Sequence, residues 1–263
     1  MFRRRMERLG WIQAPRASLA QWGAVVAFAD AARRDGLTRV LVCGMGGSSL
    51  TAEVVARACG ATSLHVLDST DPAAVLDAER AAARDRTLFL VVSKSGTTVE
   101  TLAFYRYFAA RAQPEQFVAV TGPGTPLEAL ARERRLRAVF PHPPDVGGRY
   151  AALTVVGMLP TALIGVDGRV LLERALAVDV ARAKAWGVAL ARAALAGRDK
   201  LVLRPPARVA AIAAWVEQLV ERARGRRDGA WSRSSTTRPR SGARTPRSCR
   251  NSPKTRSISA RSS

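Results

Sequence analysis

The chain has 263 residues, 48% of them hydrophobic, and a formal charge of +21 at pH 7. That length allows one or two domains with a sizeable core, and no apolar run approaches the roughly 20 residues a membrane span requires. Three cysteines without CxxC spacing, Cys43, Cys59 and Cys249, argue against a disulfide framework or a zinc site and point to a reducing, cytoplasmic compartment. Residues 1–36 open on a basic MFRRRMERLGW with no apolar stretch behind it, so no secretion signal is read. They continue as a helix, with Leu19, Trp22, Val25, Val26 and Phe28 near helical spacing and Gly36 as its stop.

From there strands and helices alternate. Residues 38–43 (TRVLVC) form a short buried strand that runs into Gly44-Met45-Gly46-Gly47, and a helix follows over about 49–59. Residues 63–67, 87–92, 116–120 and 137–140 give four more strands, with helices after Asp71-Pro72, over about 99–111 and over 125–134. Such alternation predicts an α/β fold: a doubly wound, parallel, five-stranded sheet with helices on both faces. Beyond Pro144 the chain reads as helical. Residues 151–164 form an apolar core helix that Pro160 should kink or break. Residues 171–195 form an Ala-rich helix with a bend at Gly187, 200–203 another strand opening a second lobe, and 207–221 a further helix. Four segments result: 1–36 helical, 37–165 the ligand-binding domain, 166–221 a helical connection into an incomplete lobe, and 222–263 a tail. The tail carries thirteen basic residues and one acid, a net +12, in Arg-, Ser-, Thr- and Pro-rich sequence expected to be disordered. It would bind polyanions non-specifically, but it has no RNA-binding motif, so no specific nucleic-acid function follows.

Three loops carry the chemistry. Gly44-Met45-Gly46-Gly47-Ser48-Ser49 joins a strand to a helix; its glycines permit close backbone approach to a ligand, and the helix start offers unpaired N–H groups. Without a GK[ST] ending it is not a P-loop, and it is not a dinucleotide GxGxxG; an ordinary turn with Ser48 or Ser49 as N-cap is the alternative. Ser93-Lys94-Ser95-Gly96-Thr97-Thr98 offers hydroxyls and amides enough to surround a phosphate dianion, with Thr98 as both N-cap and donor. Lys94 belongs to that loop's donors, is only a solvated charge, or holds the loop through a hydrogen bond. In Val146-Gly147-Gly148-Arg149-Tyr150, paired glycines precede an arginine whose fixed guanidinium suits developing oxyanion charge.

GMGGSSL, VVSKSGTTVET and VGGRYAALTVVGMLP, in this order, resemble phosphoglucose isomerase, of the sugar-isomerase (SIS) fold, and most nearly the isomerase half of bacterial transaldolase/phosphoglucose isomerase fusions. The resemblance runs from about Leu9 to Leu219. It implies interconversion of glucose 6-phosphate and fructose 6-phosphate through an enediolate, without metal or organic cofactor, by a homodimer. Ser93, Lys94, Ser95 and Thr98 then match the phosphate loop, Gly47 and Ser48 the turn against the sugar, and Arg149 the arginine that stabilises the enediolate. Gln218 matches a substrate-contacting glutamine. The family's base is a glutamate four residues after that glutamine; here position 222 is Arg, and Glu221 is rotated by about 100 degrees on a helix. His65 and His142 match no family histidine and read as structural. The departure coincides with the change in composition, which suggests a shifted reading frame. The expectation is an isomerase homologue with little activity as this chain, the alternative being a non-catalytic SIS sugar-phosphate-binding module. An incomplete second lobe would also uncover apolar helix faces, with Leu153, Val156 and Leu159 as candidates.

Overall fold

The structure is a computed structural model that describes residues 9–82, 84–198 and 200–223. The expected tail, 222–263, lies outside the described residues except for the backbone of its first two positions. Five strands form one sheet: β1 (Arg39–Gly44), β2 (Leu64–Leu67), β3 (Thr87–Ser93), β4 (Phe117–Thr121) and β5 (Ala138–Pro141). All neighbours are parallel, in the order β2-β1-β3-β4-β5. Each strand lies within a residue or so of its expected place, because a short apolar run bounded by polar turns has few other ways to be buried.

Helices α1 (Ala14–Arg34), α2 (Leu50–Cys59), α3 (Pro72–Ala81), α4 (Val99–Ala109) and α5 (Pro126–Glu133) are followed by α6 (Val155–Leu163), α7 (Gly168–Leu176), α8 (Val180–Leu195) and α9 (Ile212–Ala223). Alternate strand residues feed two cores. Val40, Val42, Leu88, Leu90, Val92, Val118 and Val120 pack against Trp22, Val25 and Ala29 of α1 and against α6. Leu41, Cys43, Phe89, Val91, Phe117 and Ala119 face Phe104, Tyr105 and Phe108 of α4 and Leu127 of α5. Every residue of β3 and β4 is buried, as a parallel strand covered on both faces requires. The N-terminal helix is thus part of the main core.

Four local expectations are corrected. The break in 151–164 falls at Thr154, not at Pro160: the Thr154 hydroxyl accepts from Val156 N and donates to the Ala151 carbonyl, capping α6, and Pro160 lies inside that helix. Residues 171–195 are not one helix: the interruption comes at Asp179, whose carboxylate caps α8 through Arg182 N, and α8 continues through Gly187. Residues 200–203 form no strand, for no other strand among the described residues borders them to complete a ladder. Val156 and Leu159 are buried and Leu153 packs against the core, so the uncovered apolar surface lies elsewhere. It is on α8, none of whose residues is buried and where Trp186 is 63% exposed.

Candidate functional site

β1 and β3 are adjacent, but their continuations run to opposite sides: β2 beyond β1, β4 beyond β3. This is the topological switch point, where loops diverge and leave a crevice beyond the strands' carboxyl ends. Gly44 pairs with Val92 and Ser93 with Thr121, so the glycine turn and the hydroxyl loop leave the same rim side by side.

The glycine turn is a tight 3₁₀ turn, Gly46–Ser48, with Gly46 at φ +58°. Ser49 occupies the N-cap of α2, but its hydroxyl donates to the Gly46 carbonyl instead of capping the helix. Gly47 is buried against the third motif. A Cβ there would come within 2.6 Å of Arg149 Cα, Arg149 N and the Gly148 carbonyl oxygen. Only glycine permits two backbones to meet this closely.

In the hydroxyl loop, Ser93 is buried at the end of β3 while Ser95 and Thr97 are exposed. Ser93 Oγ and Thr98 Oγ1 are 2.9 Å apart and hydrogen-bonded. Thr98 stands at the N-cap position of α4, yet its side chain makes no capping bond, which corrects half of the expectation for it. The first turn of α4 therefore keeps N–H groups that Thr98 does not occupy, beside a loop of hydroxyls and at the positive end of the helix dipole. Gly96 has φ +66°, and a Cβ there would collide with Thr125.

Lys94 shows the hydrogen-bonding arrangement that is one of its sequence readings. Its Nζ donates to the carbonyls of Pro144 at 2.8 Å and Val146 at 2.6 Å. It therefore spans from the hydroxyl loop to the turn carrying Arg149. That turn, Gly148–Leu153, is 3₁₀. The Arg149 guanidinium lies over the Tyr150 ring at 4.9 Å, and Tyr150 stacks on Trp11.

Helix α9 closes the group. Trp215 Nε1 donates to the Arg149 carbonyl at 2.9 Å. Gln218 approaches so closely that a Cβ on Gly46 would come within 2.7 Å of its Nε2. Its Oε1 is buried without a hydrogen-bond partner. Position 222 stands one helical turn beyond it. The structure thus brings Gly47, Ser48, Arg149 and Gln218 into one neighbourhood, with Ser93, Lys94, Ser95 and Thr98 on the adjoining loop.

Two further residues border the site. His142, just past β5, is buried, with Nδ1 2.9 Å from the Pro143 carbonyl and Nε2 without a partner. Burial holds its pKa below the ordinary 6.5, and the nearby Lys94 cation pushes the same way. Cys43, behind the glycine turn, is buried and its thiol is pushed well above the usual range, so it is held as an unreactive thiol. His65 lies on β2 away from this rim, its pKa also lowered by burial. Sequence reasoning allowed a hydrogen-bonding Lys94 but not its acceptors; the carbonyls of a Pro-rich loop leave no signature in side-chain identity. Among the described residues no group of three or more His, Cys, Asp or Glu is placed to hold a metal ion.

Fold and site define a doubly wound α/β protein with a group of polar and glycine-rich loops at its switch point. The phosphoglucose isomerase family pattern matches residues 28–185, more than half of the chain. The chain belongs to the phosphoglucose isomerase family. It is 39% identical over 161 residues to the glucose-6-phosphate isomerase of Synechococcus sp. (strain JA-3-3Ab), covering 55% of this chain and 29% of that one. Identity to the glucose-6-phosphate isomerase of Geobacter sp. (strain M21) is 36% over 197 residues, covering 64% and 36%. The chain therefore spans about a third of the length of these relatives. Among solved structures, a glucose-6-phosphate isomerase from Chlamydia trachomatis D/UW-3/Cx superposes with a TM-score of 0.51 at 29% identity, over 60% of this chain and 31% of that one. A hypothetical protein from Thermus thermophilus gives 0.58 at 33%, over 64% and 42%.

Proposed function

We propose that the crevice binds a phosphorylated hexose, of the glucose 6-phosphate and fructose 6-phosphate kind. In this reading the phosphate lies in the 93–98 loop, held by the hydroxyls of Ser93, Ser95 and Thr98, by backbone amides and by the first turn of α4. The sugar extends over Gly47 and Ser48 toward Arg149 and Gln218. During isomerisation a proton moves between C2 and C1, and negative charge collects on the oxygens of the enediolate. A guanidinium fixed beside a close-packed backbone opposes that charge without having to reorganise. The Gln218 Oε1 is an acceptor for a sugar hydroxyl. The observation that carries the reading is the abutment of Gly47 on Arg149, which makes the sugar turn and the arginine turn one surface at the switch point.

The same reading assigns this chain weak isomerase activity. Family resemblance calls for a glutamate one turn after Gln218, and Arg stands there. A general base contributes about 10²–10⁴-fold in rate. The arginine also favours the second reading, a module that binds sugar phosphate without turning it over. Homodimer formation and a cytoplasmic setting complete the proposal; no helix among the described residues is long and apolar enough to cross a membrane. Calorimetric titration with glucose 6-phosphate, inorganic phosphate and glucose tests the site, and saturable binding of the first is expected. A coupled assay from fructose 6-phosphate tests the activity. Absence of glucose 6-phosphate binding defeats the site assignment; turnover near 10 per second, roughly a median enzyme rate, defeats the claim of weak activity.

A further inference from the structure

We propose that Lys94 is a positioning residue: its ammonium holds the Arg149 turn against the sugar turn and is not a ligand of the phosphate. The inference rests on the reading above for its purpose, but its geometry stands apart from any ligand. Lys94 is fixed at both ends. Its carbonyl accepts from Gly122 N at 3.0 Å, and Gly122 approaches so closely that a Cβ there would lie 2.9 Å from that oxygen. The side chain then crosses to the Pro144 and Val146 carbonyls, 50 and 52 residues along the chain.

An ammonium is a donor with no acceptor capacity, and a charged donor binds carbonyls more strongly than a neutral one. The segment it grips is anchored at Val146, which is buried in the core and forms an antiparallel bridge with Leu9. Around that anchor Pro144 has no N–H to give and Gly147 and Gly148 lack side chains, so the ammonium supplies bonds to the turn that these residues cannot. Immediately beyond comes Arg149, whose backbone touches Gly47. The brace therefore joins the loop that would hold the phosphate to the arginine that would face the reacting carbons. It sets the distance between the two ends of the ligand.

The test uses the full chain. In the ligand-free wild type, NMR is expected to show hydrogen-bond couplings from the Lys94 ammonium to the carbonyl carbons of Pro144 and Val146, and these persist when inorganic phosphate is added. Lys94→Met keeps the aliphatic stem and deletes the donors. It is expected to speed amide exchange at Val146 and Tyr150 by about tenfold or more while β3 and β4 stay protected. It should leave inorganic phosphate affinity within about twofold and weaken a phosphorylated aldonate, whose carboxylate imitates the enediolate charge, by about tenfold. Lys94→Arg should restore much of that loss. Couplings that vanish on adding phosphate, a tenfold loss of phosphate affinity in Lys94→Met, or unchanged exchange at 146 and 150 would each overturn the proposal. The couplings need no variant, so a Lys94→Met chain that fails to fold leaves that arm decisive. A wild type that binds neither phosphate nor sugar phosphate defeats the functional reading alone, and the ligand-free couplings still decide Lys94.

Discussion

Replacing Gly47 by Ala adds one methyl group at the point where two turns meet. The new carbon would lie 2.6 Å from Arg149 Cα, Arg149 N and the Gly148 oxygen, where ordinary contact begins at 3.4 Å. All three are backbone atoms, so no side chain can swing aside. The turns must part, and Arg149 leaves with its turn. Overpacking of this kind costs about 1–3 kcal/mol. For a domain of this size each kcal/mol lowers Tm by roughly 2–4 °C, so a fall of about 2–12 °C is expected. Gly23→Ala is the control: Gly23 is exposed inside α1, and a Cβ there meets nothing within 4 Å. It should raise stability by about 0.5–1 kcal/mol, because alanine loses less backbone freedom in a helix. Differential scanning calorimetry reads both, and titration with glucose 6-phosphate reads the site. Gly47→Ala is expected to weaken that binding and Gly23→Ala to leave it unchanged. A Gly47→Ala protein with wild-type Tm and wild-type affinity would refute the close approach and the functional argument built on it.

Ser93→Ala removes a buried hydroxyl from the proposed phosphate site and is expected to weaken inorganic phosphate and glucose 6-phosphate alike, by about 10–100-fold in calorimetry, the range of one hydrogen bond to a charged group. The depressed pKa of His142 means that the unfolded chain takes up a proton before the folded one does. Stability should therefore be full above the ordinary 6.5 and fall as pH drops below it, by at most about 1.4 kcal/mol per pH unit for this group. Urea midpoints measured from pH 7.5 to 5 check this, and His142→Gln should flatten the slope; His65, shifted in the same direction, supplies a second contribution that remains. Gly187→Ala on the exposed α8, where a Cβ meets nothing within 4 Å, should stabilise by about 0.5–1 kcal/mol as judged by Tm. Finally, translating codons 219–225 of the gene in all three frames should yield, in another frame, an acidic residue at position 222 followed by an α/β pattern; no such frame would dispose of the frameshift idea.

The sheet was legible because its signal is local. TRVLVC and TLFLVV are apolar runs too short for helices, each closed by glycine or hydroxyl residues, and burial leaves such runs one arrangement. The helical breaks were harder to read for a physical reason. Pro160 and Gly187 are visible breakers, yet tertiary packing keeps α6 continuous through the first, and α8 runs through the second. The actual breaks come from Thr154 and Asp179, whose capping bonds depend on where the chain has already turned. The absent strand at 200–203 shows the same limit: an apolar tetrapeptide becomes a strand only if another strand lies beside it. Nor could composition reveal that α8 has no buried residue while Val156 and Leu159 are buried in the core.

The candidate site was legible as three motifs but not as one surface. Gly47 looks like any turn glycine until a Cβ is imagined on it and found to meet Arg149. Lys94 looks like a phosphate ligand until its ammonium is followed to two carbonyls fifty residues away. Gln218 was named from family resemblance alone, and its place against Gly46 depends on Trp215 seating α9 on the Arg149 turn. These contacts form a chain from α4 through Lys94, the 144–149 turn and Trp215 to α9. A perturbation at either end can reach the other through backbone atoms that no substitution table would flag. On the proposed reading two demands on the site separate: holding a phosphate calls on the loop at 93–98 and the first turn of α4, whereas moving a proton calls on the whole series in register, together with a carboxylate where this sequence has Arg222. Binding should therefore survive changes that abolish turnover, and the two need to be measured separately on every variant.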